Sequence, residues 1–97
     1  MSRADSIKRY RVIVSGRVQG VCFRYYTEEA ARKFHIKGWV RNLYSREVEA
    51  LIEGDGLKTK KMIAFLRQGP PMAHVTDIRI TEEPYVPGEF DGFRITY

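Results

Sequence analysis

"HIKGWVRNLYSREVEALIEG", residues 35–54, reads as two strands folded back on each other. In its second half Val48, Ala50 and Ile52 alternate with Glu47, Glu49 and Glu53, the period of two that sends apolar groups to one face of a sheet and carboxylates to the other. Residues 43–46 leave room only for a turn between the strands. On either side of this hairpin the period changes. Asp55 can cap a helix whose buried stripe is Met62, Phe65 and Leu66, and Gly69-Pro70-Pro71 stops it. Upstream, Phe23, Thr27, Ala30, Ala31 and Phe34 fall at i, i+4, i+7, i+8 and i+11, the stripe of an amphipathic helix whose other face carries Glu28, Glu29, Arg32 and Lys33.

Further strands lie outside the helices. In "KRYRVIVSG", residues 8–16, Tyr10, Val12 and Val14 alternate with Arg9, Arg11 and Ile13, and the strand is expected to end at Gly16. "HVTDIRITEE", residues 74–83, is expected to turn Ile78 and Ile80 inward, and "GFRITY", residues 92–97, places Phe93, Ile95 and Tyr97 on one face. The order β-α-β-β-α-β with a short extra C-terminal strand predicts an α+β fold of the ferredoxin-like kind. Two helices would pack on one face of a mostly antiparallel sheet. Residues 8–97 are expected to form one domain, preceded by a polar tail over residues 1–7.

Composition narrows the partners. A chain of 97 residues, 43% hydrophobic, can bury one modest core. Its single cysteine, Cys22, excludes an intrachain disulfide, and the opening lacks the apolar stretch of a secretory signal. No run approaches the roughly 18 apolar residues of a membrane span. A cytoplasmic protein without membrane contact is expected, with a monomer the simplest state. The formal charge of +5 favours anionic partners, whether nucleic acid, phosphorylated metabolites or acidic surfaces.

"GRVQGVCFR", residues 16–24, joins the first strand to the first helix and sets Arg24 in the helix's opening turn, where a cation opposes the helix dipole. A shared anion would remove that conflict. Gly16 and Gly20 permit positive φ, so the N–H groups of Gln19, Gly20, Val21, Cys22 and Phe23 can point into one concavity that continues into the free donors of the helix start. The planar fork of Arg24 suits two phosphoryl oxygens. A helix over residues 23–34 carries the chain back ~18 Å at 1.5 Å per residue, and the strand after it returns about as far at 3.3 Å per residue. Asn42 thus arrives at the edge that holds the glycine loop.

Plain alternatives stay open beside this reading. A glycine-rich strand–helix turn needs no ligand, Arg24 could be a solvated surface arginine, and Asn42 could serve the turn. The loop is neither a dinucleotide fingerprint nor a Walker loop. Cys22 could be an activated thiol at a helix N-terminus, but only Phe23 separates it from Arg24, where thiol phosphatases place five residues; a small filler is the simpler reading. His35 and His74 lack a carboxylate at ligand spacing, so neither metal nor cofactor is expected. The basic run 58–61 reads as a solvated helix face, and Trp39 and Phe65 as core.

The loop "GRVQGVCFR" resembles the signature of the acylphosphatases, "GWVRN" at 38–42 resembles their second motif, and "GPPMAHV" at 69–75 resembles the turn before their fourth strand. The resemblance runs from about residue 8 to Tyr97. It implies hydrolysis of carboxyl–phosphate mixed anhydrides, with Arg24 binding the phosphate and Asn42 orienting the attacking water. One departure stands out: Ser45-Arg46 replaces the glycine that usually precedes the next strand in this family, which leaves the turn's type open. The implied chemistry is self-consistent without a metal or a side-chain acid. The leaving carboxylate has a conjugate-acid pKa of about 4, against roughly 10 for a phenol, and phosphoryl transfer needs mainly positioning and charge stabilisation. The partners implied are a small acyl phosphate and inorganic phosphate, with no nucleic acid.

Two further classes share these features. RNA-recognition modules have this topology, and "DGFRITY" at 91–97 echoes their aromatic strand, although it falls at the chain's end and "EVEALIEGD" on the third strand is acidic and lacks aromatics. A non-catalytic anion sensor could be built on the same loop.

Overall fold

The computed structural model describes residues 7–97. The elements run β1 (Ile7–Arg17), α1 (Phe23–Lys33), β2 (Lys37–Asn42), β3 (Val48–Asp55), α2 (Gly56–Gln68), β4 (His74–Glu83) and β5 (Phe93–Ile95). The polar tail expected over residues 1–7 falls outside the described residues except for Ile7, which already opens β1. The strands form a single sheet in the order β4-β1-β3-β2-β5. All neighbours are antiparallel except β2 and β5, which run parallel. This is the ferredoxin-like α+β sandwich that the alternation of periods predicts.

One face of the sheet carries the helices. Val12 and Val14 of β1 sit opposite Ala50 and Val48 of β3, and Val40 of β2 opposite Ala50, so small and branched side chains tile the surface on which the helices lie. Against it pack Phe23 and Ala31 of α1 with Met62 and Leu66 of α2, all buried. Thr27, also buried, satisfies its hydroxyl by donating to the Phe23 carbonyl oxygen at 2.8 Å. Asp55 caps α2 as expected, accepting from the Lys58 N–H at 2.8 Å, and Gly69 at φ 75° ends that helix.

The opposite face departs most from expectation. The alternation assigns Glu49 and Glu53 to solvent, yet they are 6% and 4% exposed. Arginines bury them. Arg9, itself 5% exposed, donates to Glu53 at 2.7 Å and to Glu89 at 2.8 Å. Arg11 donates to Glu49 at 2.7 Å and to Glu83 at 2.6 Å, and Arg41 reaches Glu49 at 2.7 Å. Trp39, expected in the core, is half-buried on this face beneath the guanidinium groups of Arg41 and Arg11, 5.1 and 5.7 Å from its centroid. Phe90, from the segment before β5, covers Arg9 at 4.9 Å.

Smaller corrections have physical causes. Phe65, also expected in the core, is half-buried at the edge of the α2 stripe. Ile80 keeps its inward register opposite Val12 but is 38% exposed, because β4 is an edge strand that the helices cover incompletely. The first strand continues past Gly16 to Arg17, with an irregularity in its pairing to β4 between Ser15 and Gly16. There φ is 119°, and a Cβ would stand 2.2 Å from the His74 carbonyl oxygen, so only glycine fits. Gly16 thus takes the positive φ expected of it, and that conformation serves the β1–β4 contact.

Candidate active site

The loop between β1 and α1 turns through two left-handed residues. Gly20 has φ 75°, and Cys22, the N-cap of α1, has φ 59° and ψ 28° with no side-chain cap hydrogen bond. For a non-glycine residue this conformation costs about 1–2 kcal/mol. Such turns fold consecutive N–H groups toward one side of the chain. No acceptor among the described residues takes the amide hydrogens of Gln19, Gly20, Val21, Cys22 or Phe23. The first turn of α1 contains no acidic residue. An electropositive helix end and a row of uncommitted donors therefore meet at one point.

The remaining expected residues converge there. A hollow of about 350 Å³ is lined by Gln19, Gly20, Cys22, Phe23, Arg24 and Asn42, together with Val18, Tyr25, Ile95 and Tyr97. Val21 is the exception: its side chain is half-buried against the core, which leaves only its backbone to face the loop. Phe23 is 2% exposed and anchors the loop in the same core. Arg24 is half-buried and makes no ion pair among the described residues; its guanidinium lies 5.0 Å from the centre of the Tyr97 ring. Stacking on an aromatic face holds a guanidinium in place without using its N–H donors. Asn42 ends β2, opposite Val48, and its side chain makes no hydrogen bond among the described residues.

Gln19 is committed differently from its neighbours. Its side-chain Nε2 donates to the Leu43 carbonyl at 2.9 Å and to the Glu47 carbonyl at 2.9 Å, so the side chain joins the loop to the β2–β3 hairpin. A second hollow, about 510 Å³, lies beyond Asn42 and is bounded by Gln19, Arg41, Asn42, Leu43, Tyr44 and Tyr97.

The hairpin resolves the Ser45-Arg46 departure. Arg46 N–H donates to the Leu43 carbonyl at 3.1 Å, Leu43 N–H to the Glu47 carbonyl at 2.8 Å, and Arg46 takes φ 76°. This is a four-residue turn closed by a left-handed residue, the place a glycine would fill, with arginine adopting the glycine conformation. Beside it, Glu47 accepts from the hydroxyls of Ser15 at 2.5 Å and Ser45 at 2.9 Å. Those bonds, aided by the charge of Arg79, hold its carboxyl below the ordinary carboxylate range.

Sequence reasoning missed Tyr97, Ile95 and Tyr25 in the site. For Tyr97 the signal is topological: Val40 pairs with Ile95 in parallel register, so the chain past Ile95 travels with the chain toward Asn42 and reaches the same edge. That becomes visible only once β5 is known to pair with β2. Among the described residues no three His, Cys, Asp or Glu side chains gather as a metal-ligand set.

The architecture defines the class, a ferredoxin-like sandwich with a hollow at one strand edge that holds Arg24 and Asn42. Comparison with known proteins supplies the family. The acylphosphatase family model matches residues 10–95. An acylphosphatase of Syntrophus aciditrophicus is 50% identical over 91 residues, 94% of each chain. One of Aeropyrum pernix is 47% identical over 94 residues, 96% of this chain and 92% of that one. The crystal structure of acylphosphatase from Bacillus subtilis superposes with a TM-score of 0.88 at 40% identity, covering 93% of this chain and 99% of that one. The chain belongs to the acylphosphatase family and is a hydrolase of that kind.

Proposed function

We propose that the protein hydrolyses the carboxyl–phosphate anhydride of acyl phosphates without a metal, releasing carboxylate and inorganic phosphate. The phosphoryl group sits against the amides of residues 19–23 and the fork of Arg24, while Asn42 holds a water in line for attack. The observation that carries this reading is the sharing of one hollow by Arg24, the amide row and Asn42, which among the described residues have no carboxylate partner, no acceptor and no side-chain hydrogen bond respectively. An oxyanion hole gains about 3–4 kcal/mol from each preorganised donor, so several donors here supply the charge stabilisation that a loose transition state requires. The side-chain amide of Asn42 contributes by orientation. No side-chain base stands among the lining residues, so the water's proton passes to a phosphoryl oxygen as the P–O bond to the carboxylate breaks. The carboxylate leaves unprotonated because its conjugate acid is strong.

Cys22 belongs to this site through its backbone. Its left-handed conformation shapes the loop, and Cys22→Ala is expected to keep turnover; loss of turnover with phosphate binding intact would instead mark the thiol as a nucleophile. A cytoplasmic monomer, folded as one domain over residues 8–97, is part of the same proposal. It takes no nucleic acid, because the open sheet face that an RNA-recognition module would use carries Arg9, Arg11, Glu49 and Glu53 already paired with one another or with neighbouring carboxylates. The test is a substrate panel in the presence of chelator. Benzoyl phosphate should be turned over and p-nitrophenyl phosphate barely touched, with no effect of the chelator. A metal-dependent monoesterase activity would overturn the proposal, and phosphate binding without turnover would leave a sensor.

A further inference from the structure

We infer that the side chain of Gln19 has a positioning role separate from its backbone amide: the side-chain amide sets the distance between the anion loop and Asn42, and so controls turnover through Asn42 without itself touching the substrate. The inference rests on the proposed role of Asn42. Gln19 stands in the loop, three residues before Cys22, the N-cap of α1, yet both hydrogens of its Nε2 go to the β2–β3 hairpin, one to Leu43 O and one to Glu47 O, each at 2.9 Å. These two carbonyls flank the mouth of the hairpin. Leu43 directly follows Asn42, and Glu47 O also accepts from Leu43 N–H at 2.8 Å. The direction of the amide is fixed by this arrangement, since a flipped group would press an oxygen against two carbonyl oxygens.

The link matters because, among the described residues, no side-chain hydrogen bond aims Asn42. Its place relative to the loop therefore follows from where its backbone lies. The hairpin is otherwise braced from the far side, through Ser15 and Arg79 on the Glu47 carboxylate at 2.5 and 3.1 Å. Those contacts fix the hairpin to β1 and β4. Gln19 alone among these braces ties it to the loop that carries the amides, and Gln19 and Asn42 line both hollows. Beyond the sheet pairing that both share, the geometry between a bound phosphoryl group and the water attacking it therefore runs through this side-chain amide. A donor-free side chain of similar length would fill the same space and release the hairpin by a fraction of an ångström.

The experiment is a double-mutant cycle on benzoyl phosphate, with inorganic phosphate as competitive inhibitor, using Gln19→Met, Asn42→Ala and the two combined. Gln19→Met should lower kcat about tenfold, since misplacement of a reacting group by as much as 1 Å can reach ~100-fold, while the inhibition constant of phosphate stays within about twofold. In the Asn42→Ala background the same change should alter kcat by less than about twofold, because nothing remains to be aimed. A merely structural role would shift thermal stability and phosphate affinity alike and would act equally in both backgrounds; either pattern overturns the inference, as does an unchanged kcat in Gln19→Met. Should Gln19→Met fail to fold, Gln19→Glu serves instead. It keeps the shape, opposes two carbonyls with a carboxylate, and should recover kcat as its own protonation restores one donor at lower pH. Asn42→Ala with wild-type kcat would remove the water-orienting role itself and this inference with it, whereas a normal Gln19→Met beside an impaired Asn42→Ala removes only the inference.

Discussion

Arg9, on the open face of the sheet, is 5% exposed and spends its guanidinium on Glu53 at 2.7 Å and Glu89 at 2.8 Å; Arg24, at the strand edge, meets the Tyr97 ring and no carboxylate among the described residues. Burial pulls the pKa of Arg9 down, yet its bonds to the two glutamates more than reverse this, leaving it above the ordinary value. The same residue type thus serves as an internal tie in one region and as an open fork in the other. The difference lies in the partners. Where two carboxylates converge on a guanidinium its charge is consumed by the fold, and where a helix end and free amides surround it, the charge is available to a ligand.

Substitutions that exchange these circumstances should separate activity from stability. Arg24→Ala should lower kcat/KM by roughly 10³- to 10⁴-fold, about 4–5.5 kcal/mol of transition-state stabilisation, with little change in melting temperature. Steady-state kinetics beside a thermal melt checks this, and a melt that falls in step with activity would make Arg24 structural. Arg9→Ala should do the reverse. Leaving Glu53 buried without its partner costs about 3–5 kcal/mol, readable by urea unfolding, while kcat per folded molecule stays near the wild-type value.

Acid probes the same face more gently. Burial pushes the Glu49 carboxyl up, but Arg11 and Arg41 more than offset it and hold it below its usual 4.5; Glu47 is likewise depressed by Ser15 and Ser45. Both groups bind their protons less readily folded than unfolded, so their contribution to stability is complete above about pH 4.5 and disappears as pH falls through the depressed values. Glu49→Gln should remove about 2 kcal/mol at neutral pH and flatten the loss of stability between pH 5 and 3. The smallest effect belongs to the turn. Arg46→Gly relieves a left-handed residue worth about 1–2 kcal/mol at an entropic cost of roughly 0.5–1 kcal/mol, so a net gain of about 0.5–1 kcal/mol is expected, with unchanged kcat.

Much of this could be read from the chain, and the gaps have a common origin. Element order, the Asp55 cap, the Gly69 stop and the meeting of Asn42 with the glycine loop all follow from local period and reach, which a strand–helix–strand unit converts into position. What stayed hidden depends on partners distant in sequence. Glu53 is buried because Arg9, 44 residues away, lies beside it in register, and alternation alone assigns a glutamate to water. The use made of Gly16 and the backbone conformation of Cys22 were hidden for the same reason. A bulge against β4 claims the glycine, and the cradle's second left-handed residue is a cysteine that no propensity would place there.

The sheet's two margins bear on how a second molecule could pair with it. At one border, β4 exposes Asp77, Arg79 and Glu82 along ten residues, with Ile80 the sole aliphatic side chain among its exposed positions; at the other, β5 is three residues long. A second molecule attempting to add its own strand meets charge on one flank and too little length on the other. Each flank is thereby a poor template for edge-to-edge strand addition.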